Sequence, residues 1–256
     1  MEIEAWHADS LAGPMQALKA AFEAQNDGIA VNLTSGRSKE LAERILTGER
    51  CDLFAPSDPA VVQGMFGRQV AGREAASWYV VFSANELVVI VPKGNPRGVK
   101  RMADMAGSGV RLARVAGESD MATNRTIEFI GNAVAAEGRA DLAAPIIAGA
   151  AREKTIPEVL KAVREGRADA GIVYLSAAVT VADATETIAF PGKVNLSEKI
   201  RNVATIPGTA LNKVAAEGFV QLLLSEEGRR ILKMTGQPPV VPPLWEGQVH
   251  DELRPQ

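Results

Sequence analysis

The chain has 256 residues, 46% of them hydrophobic, which is enough to bury a sizeable core and suits either one large α/β domain or two lobes. Its 28 Lys and Arg residues nearly balance its 31 Asp and Glu residues, so the net charge of -3 excludes the strong positive field of a nucleic-acid-binding protein. Cys51 is the only cysteine, which excludes an internal disulfide and disfavours a zinc cluster, and we expect it to be a small buried hydrophobe.

The start of the sequence leaves two interpretations of where the protein works. No apolar stretch approaches the ~20 residues needed to cross a bilayer, and the most apolar run, 87–91, has the length of a strand. Met1-Glu2-Ile3-Glu4 leads directly into a predicted strand, without the charged and apolar regions of a signal peptide. Either the protein is cytoplasmic, or its signal peptide has already been removed.

The first part of the chain alternates strand and helix patterns. Apolar residues recur at helical spacing from Leu11 to Phe22, and Asp58-Pro59 has the form of an N-cap followed by a first-turn proline. Such alternation predicts a parallel sheet covered by helices. Strands are predicted at 3–8, 29–34 and 52–55, and helices at 11–25, 38–46 and 59–66.

A second alternating series begins near residue 84. Thr155 and Glu158 have the spacing of a capping box, with Pro157 in the first turn, and Gly166 has the position of a C-cap. Two consecutive helices then precede a tail that, from Pro242, is predicted as an extended surface segment. Strands are predicted at 87–92, 110–115, 170–174 and 187–190, and helices at 102–105, 123–137, 157–165, 212–224 and 227–234.

This order of elements predicts two lobes. We expect residues 1–83 plus 191–256 to form a discontinuous first lobe and residues 84–190 to form the second, each a mixed, mainly parallel sheet flanked by helices. Because the chain then crosses between the lobes twice, the crossovers would act as a hinge. A ligand site is expected in the cleft between the lobes.

The loops that follow the predicted strands have the composition of an anion site. Each leads into a helix start, where backbone N–H groups lack helical partners and the helix dipole is positive. The alternative for Ser10, Ser38 and Thr155 is that each simply caps its helix. These loops are 8–11, 34–38, 121–124, which includes Ala122 and Thr123, and 154–157.

Charged and aromatic residues near these loops leave further alternatives open. Arg37 either pairs with an anion or reaches solvent, and Tyr174, at the end of a predicted strand, either binds the anion or is a core tyrosine. Asp169 is a turn residue or, as the minor alternative, a ligand of a metal centre. Glu118 and Asp120 raise the same question more weakly.

An enzyme of this composition would need a nucleophile and a base, for example Cys51 with His7. The chain has two histidines, His7 near a strand and His250 in the tail, and no base with a residue to orient it can be assigned. We therefore expect a binding protein without catalytic residues and without a cofactor.

The same loops carry a resemblance to a known family. The sequence resembles the periplasmic molybdate-binding proteins of ABC importers, which belong to the type II solute-binding fold. The segments that match the family in order along the chain are 8–11, 38–45, 51–58, 85–93, 166–174 and 219–228, followed by Gly236.

The resemblance implies an α/β, two-lobed fold of the type II periplasmic-binding-protein class and a defined ligand set. In the family, two serines, two backbone amides and a tyrosine hold the anion, and no free metal cation is involved. By motif, these are Ser10, Ser38 or its neighbour Ser35, the amides of Ala122 and Ile156, and Tyr174.

The sequence departs from the family pattern in places that bear on the ligand. Gly36-Arg37 interrupts the serine-rich second loop, and Arg125 follows the loop of the second lobe, so an extra cation could face the site. Less similar archaeal-type relatives add carboxylates to the metal centre, and Asp169 and Glu118 are the candidates for that role here.

The function implied is the solute-binding subunit of an ABC importer. The expected ligand is a tetrahedral oxyanion, molybdate or tungstate, delivered to a membrane permease by a monomeric protein that is periplasmic or lipid-anchored outside the cell. Alternatives are a binder of sulfate, phosphonate or a carboxylate, and a cytoplasmic anion-sensing domain of the same fold. The sequence does not separate tungstate from molybdate.

Overall fold

The computed structural model describes residues 1–107, 109–117 and 121–248. The chain divides into two compact units, a first unit of Met1–Ala84 and Ile200–Gln256 and a second unit of Asn85–Lys199. The second boundary falls later than the predicted one after residue 190. The Asn195 side-chain amide donates hydrogen bonds to Glu86, 2.8 Å away, and to the Phe190 carbonyl, 2.9 Å away, and so ties this segment to the second unit.

The elements follow the predicted alternation over most of the chain. The first unit begins with β1 (Glu2–Ala8), α1 (Ala12–Gln25), β2 (Ala30–Gly36), α2 (Ser38–Leu46), β3 (Leu53–Ala55), α3 (Pro59–Gln63), β4 (Gln69–Val70), β5 (Arg73–Glu74) and β6 (Trp78–Ala84). The second unit contains β7 (Leu87–Pro92), β8 (Leu112–Val115), α4 (Met121–Ala136), α5 (Ala143–Gly149), β9 (Ala151–Glu153), α6 (Ile156–Arg164), β10 (Ala170–Tyr174), α7 (Leu175–Ala178), β11 (Thr185–Ile188) and α8 (Gly192–Asn195). The first unit resumes with β12 (Arg201–Ala204), α9 (Lys213–Leu224), α10 (Glu226–Met234) and β13 (Pro239–Gly247). Short 3-10 helices lie at Asp9–Leu11, Met102–Ala106, Ala140–Leu142 and Val179–Val181.

A parallel sheet of order β2-β1-β3 positions the first loops of the first unit. His7 of β1 pairs in register with Ser35 of β2 and with Ala55 of β3. The carboxyl ends of all three strands therefore meet at one edge. The core behind this sheet contains the predicted apolar face of α1, and Phe22 packs against Phe219 of α9 with ring centroids 5.2 Å apart.

An antiparallel sheet of order β12-β6-β13 completes the first unit and departs from the prediction. Every residue of β6 is buried, so the strand lacks the alternation that a half-buried strand shows in sequence. The tail from Pro242, expected as a surface segment, is instead part of the edge strand β13, in which Leu244 pairs with Val81 of β6. Prolines are tolerated there because an edge strand leaves one side unpaired.

The second unit is built on a five-stranded sheet of order β11-β7-β10-β8-β9. Strands β8, β9 and β10 are parallel, whereas β7 is antiparallel to β10 and to β11. Helix α6 packs on this sheet so closely that a Cβ atom added at Gly171 would lie 2.9 Å from Val159 and from Val163. Gly171 is therefore the residue that permits this approach.

Within the described parts of the chain, no helix combines the length and the apolar character needed to cross a membrane.

Candidate functional site

In the first unit, Ser10 and Ser35 lie at the carboxyl ends of neighbouring strands. Ser10 is an exposed residue of the 3-10 helix that follows β1. The Ser35 hydroxyl donates a hydrogen bond to the Asp9 carboxylate over 2.6 Å. Because a hydroxyl has a single hydrogen, Ser35 cannot donate to a ligand while this bond is present.

Ser38 is the first residue of α2, and Arg37 occupies the N-cap position without a side-chain cap. The Ser38 hydroxyl oxygen accepts a hydrogen bond from the backbone N–H of Ser57 at 3.3 Å. Since the oxygen accepts, the hydroxyl hydrogen remains available to a ligand. The Arg37 side chain is 81% exposed and pairs with Glu40 at 3.3 Å.

A chain of buried amides lies behind the Ser10 loop. The fully buried Gln237 donates from Nε2 to the Ser10 carbonyl at 2.9 Å. Its Oε1 accepts from Asn202 Nδ2 at 2.9 Å, and the same Asn202 nitrogen donates to Ser83 Oγ at 2.9 Å. We call the side chains of Gln237, Asn202 and Ser83 the amide relay. The relay was not predicted from the sequence, where the one signal is a polar residue between Gly236 and two prolines.

In the second unit, the predicted loops also follow parallel strands. Tyr174 ends β10 and is half-buried, and Ile156 begins α6 shortly after β9. Ala122 and Thr123 lie in the first turn of α4, and the Thr123 hydroxyl accepts a hydrogen bond from Gly117 N at 2.7 Å. Because β8, β9 and β10 run in one direction, these residues lie at the same edge of the sheet.

Arg125 contacts the predicted tyrosine. Its Nη1 donates to the Tyr174 hydroxyl oxygen at 3.4 Å, and both side chains are half-buried. The sequence had left open whether this arginine lies near the predicted ligand residues. The contact shows that it lies beside Tyr174.

Asp169 lies away from Tyr174. It precedes β10 and so lies at the opposite end of that strand from Tyr174. The Arg111 guanidinium bonds both of its carboxylate oxygens, at 2.9 Å and 3.0 Å, and Arg97 pairs with it at 3.4 Å. The hydrogen bonds from Arg111 are the main cause that holds the pKa of Asp169 well below its ordinary value. Glu118, Asp120 and His250 lie outside the described residues.

Cys51 and His7, the example of a nucleophile with a base, are both buried. Cys51 is fully buried, its thiol donates to the Leu53 carbonyl at 3.1 Å, and burial raises its pKa well above the ordinary value. Burial also lowers the pKa of His7, whose Nδ1 bonds the Ala8 carbonyl at 2.9 Å. A thiol held in its neutral form is inert as a nucleophile. Among the described residues, no cluster of three or more His, Cys, Asp or Glu side chains could hold a metal ion.

Comparison with known proteins gives one family and one fold. The model of the family described as bacterial extracellular solute-binding protein matches residues 3–236. The molybdate-binding protein ModA of Mycobacterium tuberculosis is 28% identical over 237 residues, which cover 90% of this chain and 81% of the relative.

Solved structures with this architecture include a substrate-binding domain assigned to a molybdenum ABC transporter of Clostridium difficile. It has a TM-score of 0.78 and 23% identity, and the match covers 93% of this chain and 99% of that domain. The periplasmic molybdate-binding protein of Azotobacter vinelandii has a TM-score of 0.65 and 20% identity, with 94% and 99% covered. These likenesses confirm the predicted fold class, the α/β fold of type II periplasmic binding proteins.

Proposed function

The chain belongs to the family of bacterial extracellular solute-binding proteins, and on that premise we propose that it captures molybdate or tungstate for a membrane permease of an ABC importer. The observation that carries the proposal is the set of neutral donors that follow parallel strands in each unit. Ser10 and Ser38 supply hydroxyls in the first unit, and Tyr174 supplies one in the second. The similarity to ModA supports the choice of anion.

We propose a ligand set of Ser10, Ser38, Tyr174 and the backbone amides of Ala122 and Ile156. Hydroxyls and amides donate hydrogen bonds without adding charges that would need burial, which suits a fully ionised dianion. The Thr123 hydroxyl, next to Ala122, accepts a hydrogen bond from Gly117 N. Ser35, Arg37 and Asp169 are left outside the set because their side chains are bound to Asp9, Glu40 and Arg111.

The proposed selectivity rests on size. Molybdate and tungstate have longer bonds to oxygen than sulfate and phosphate, so a site fitted to the larger ions leaves donors unpaired around the smaller ones. A protonated phosphate would also need an acceptor, whereas the proposed set consists of donors.

We place the protein outside the cytoplasmic membrane, free in the periplasm or held by a lipid anchor, as a monomer that binds and does not catalyse. The family description supports this setting. Fractionation of the native host separates this proposal from a cytoplasmic sensor, and we expect the protein outside the cytoplasm. Recovery in the cytoplasm would contradict this part of the proposal.

Calorimetric titration with molybdate, tungstate, sulfate and phosphate tests the function. We expect tight binding of molybdate and tungstate and weak binding of the two smaller anions. Binding of sulfate alone, or of none of the four anions, would contradict the proposal.

Two variants test the ligand set within the same titration. Ser10→Ala and Tyr174→Phe each remove a donor to a charged group, so we expect each to weaken molybdate binding by ~1.5–3 kcal/mol. Tyr79→Phe is the matched control for the tyrosine, because the Tyr79 hydroxyl is bound to Glu246 in the first unit. Ser35→Ala is the control for the serine, since its hydroxyl is bound to Asp9. Unchanged affinity in either test variant removes that residue from the set.

A further inference from the structure

The contact between Arg125 and Tyr174 fixes the direction of the tyrosine's hydrogen bond. A guanidinium group has donors and no acceptor, so the Tyr174 oxygen must accept from Arg125 Nη1 across the 3.4 Å between them. The single hydroxyl hydrogen of Tyr174 is then directed to some other acceptor. In this state the Tyr174 hydroxyl can donate a hydrogen bond to an anion.

Arg125 differs in its partner from those arginines of the second unit that pair with a carboxylate. Arg111 pairs with Asp169 at 2.9 Å, Arg139 with Asp141 at 3.1 Å, and Arg167 with Glu153 at 3.2 Å. For Arg125, no carboxylate partner lies within residues 1–107, 109–117 and 121–248. Its side chain is half-buried, and within that part of the chain its hydrogen-bond partner is the neutral hydroxyl of Tyr174.

A cation at this position has a direct consequence for ligand choice. Coulomb attraction scales with the charge of the ligand, so a nearby cation favours a dianion over a monoanion of the same size and shape. The neutral donors of the proposed ligand set bond both kinds of ion with the same geometry. Discrimination by charge therefore needs a charged residue, and Arg125 is placed beside one of those donors.

We propose that Arg125 is the residue that selects doubly charged tetrahedral oxyanions over singly charged ones of equal size. This inference rests on the proposed function, because it takes Tyr174 to be a ligand residue. It adds a second basis of selection, charge, to the selection by size described above. It also gives a role to Arg125, one of the residues at which this sequence differs from the pattern of the molybdate-binding proteins.

A rival explanation is that Arg125 merely orients Tyr174. Loss of orientation would weaken one hydrogen bond, and that bond is available to a monoanion and a dianion alike. Loss of charge would weaken the dianion more. The two explanations are therefore separated by the ratio of two affinities, not by either affinity alone.

The test uses tungstate and perrhenate, which are both tetrahedral and close in size but carry two charges and one. Both are titrated into the wild type, Arg125→Gln and Arg125→Lys. Arg164→Gln is the matched control, because Arg164 is an exposed residue at the opposite end of α6 from Ile156. Circular dichroism melting shows whether each variant is folded.

We expect Arg125→Gln to weaken tungstate by about tenfold or more and perrhenate by about threefold at most, so that the ratio of their affinities falls. Arg125→Lys should keep most of the ratio, and the control should keep all of it. Tungstate binding should also depend less steeply on salt in Arg125→Gln than in the wild type, since salt screens a charge more than it weakens a hydrogen bond.

Equal weakening of both anions with an unchanged salt dependence would assign Arg125 a positioning role and overturn the proposal. No change for either anion would overturn it as well. If the wild type binds neither molybdate nor tungstate, the proposed function itself fails, and that result is distinct from any effect of the variant.

Discussion

At the scale of single residues, the two serines around the end of β2, Ser35 and Ser38, differ in what their hydroxyl groups can still bind. Ser35 donates to Asp9, whereas Ser38 accepts from the backbone of Ser57 and keeps its hydrogen. The sequence placed both in the second loop and left the choice between them open. The choice depends on their partners. Asp9 comes close to Ser35, and Ser57 to Ser38, only when the parallel strands are aligned.

The amide relay gives a prediction about a residue that does not belong to the proposed ligand set. Gln237→Leu keeps a similar volume but leaves the Ser10 carbonyl and an Asn202 N–H without their partner in a buried site. We expect a loss of about 1–3 kcal/mol in the free energy of unfolding, because buried polar groups are left unpaired. We also expect weaker molybdate binding, because the Ser10 loop loses the bond that fixes its carbonyl.

Urea unfolding and calorimetric titration check this prediction together. Gln221→Leu is the matched control, since Gln221 is an exposed residue of α9. In a Ser10→Ala background, Gln237→Leu should weaken binding less than it does alone, because the two changes act on one loop. Full molybdate affinity in Gln237→Leu would show that the relay stabilises the fold without positioning Ser10.

Partners far apart in sequence explain what could not be predicted at this scale. The sequence left Asp169 as a turn residue or a ligand, whereas its partner in the structure is Arg111, the residue before β8. Neither composition nor spacing reveals that pairing. The sequence can therefore nominate polar residues near a strand end, and the structure decides which of them are already bound.

At the scale of elements, helices with side-chain caps were predicted closely. Helix α6 begins as expected, with the Thr155 hydroxyl accepting from Glu158 N at 3.3 Å and the Glu158 carboxylate accepting from Thr155 N at 3.2 Å. Capping is a local interaction, so a four-residue pattern is sufficient to show it. Strands β6 and β9 were missed, because a fully buried strand or a very short one lacks the alternation that marks a strand in sequence.

Thr155→Ala should therefore destabilise α6 and weaken the ligand site together. Loss of the N-cap costs about 0.5–2 kcal/mol in the free energy of unfolding, and thermal melting measures it. Molybdate affinity should also fall, because Ile156, whose amide belongs to the proposed ligand set, is the first residue of this helix.

Ser225→Ala is the matched control, since Ser225 caps α10 in the first unit through its bond to Gly228 N. It should cost similar stability and leave the affinity unchanged. Equal effects of the two variants on affinity would mean that the start of α6 has no special part in binding.

At the scale of the whole molecule, the α/β class and the strand–helix alternation were predictable because hydrophobic periodicity is a local signal. The assignment of residues 191–199 was not. That segment contains α8, whose Asn195 donates a hydrogen bond to Glu86, which is far away in the sequence. Membership of a folding unit is decided by such long-range contacts, which leave no periodic trace.

The stability of the whole molecule should depend on pH through the carboxylate that was removed from the ligand set. Bonds from Arg111 hold the pKa of Asp169 below its ordinary value in the folded state, so folding is favoured by its ionised form. That contribution is complete above the unfolded pKa of about 3.9 and is lost as the pH falls through and below it. Asp169→Asn should lower the free energy of unfolding at neutral pH by about 1–3 kcal/mol, and this loss should shrink as the pH is lowered.

Urea unfolding at several pH values measures both effects, with Asp141→Asn as the control because that carboxylate is 65% exposed in its pair with Arg139. A deficit that stays constant down to strongly acidic pH would mean that the ion pairs of Asp169 contribute nothing. Because Asp169 and Tyr174 lie at opposite ends of β10, Asp169→Asn should leave molybdate affinity intact, whereas a large loss would return Asp169 to the ligand set.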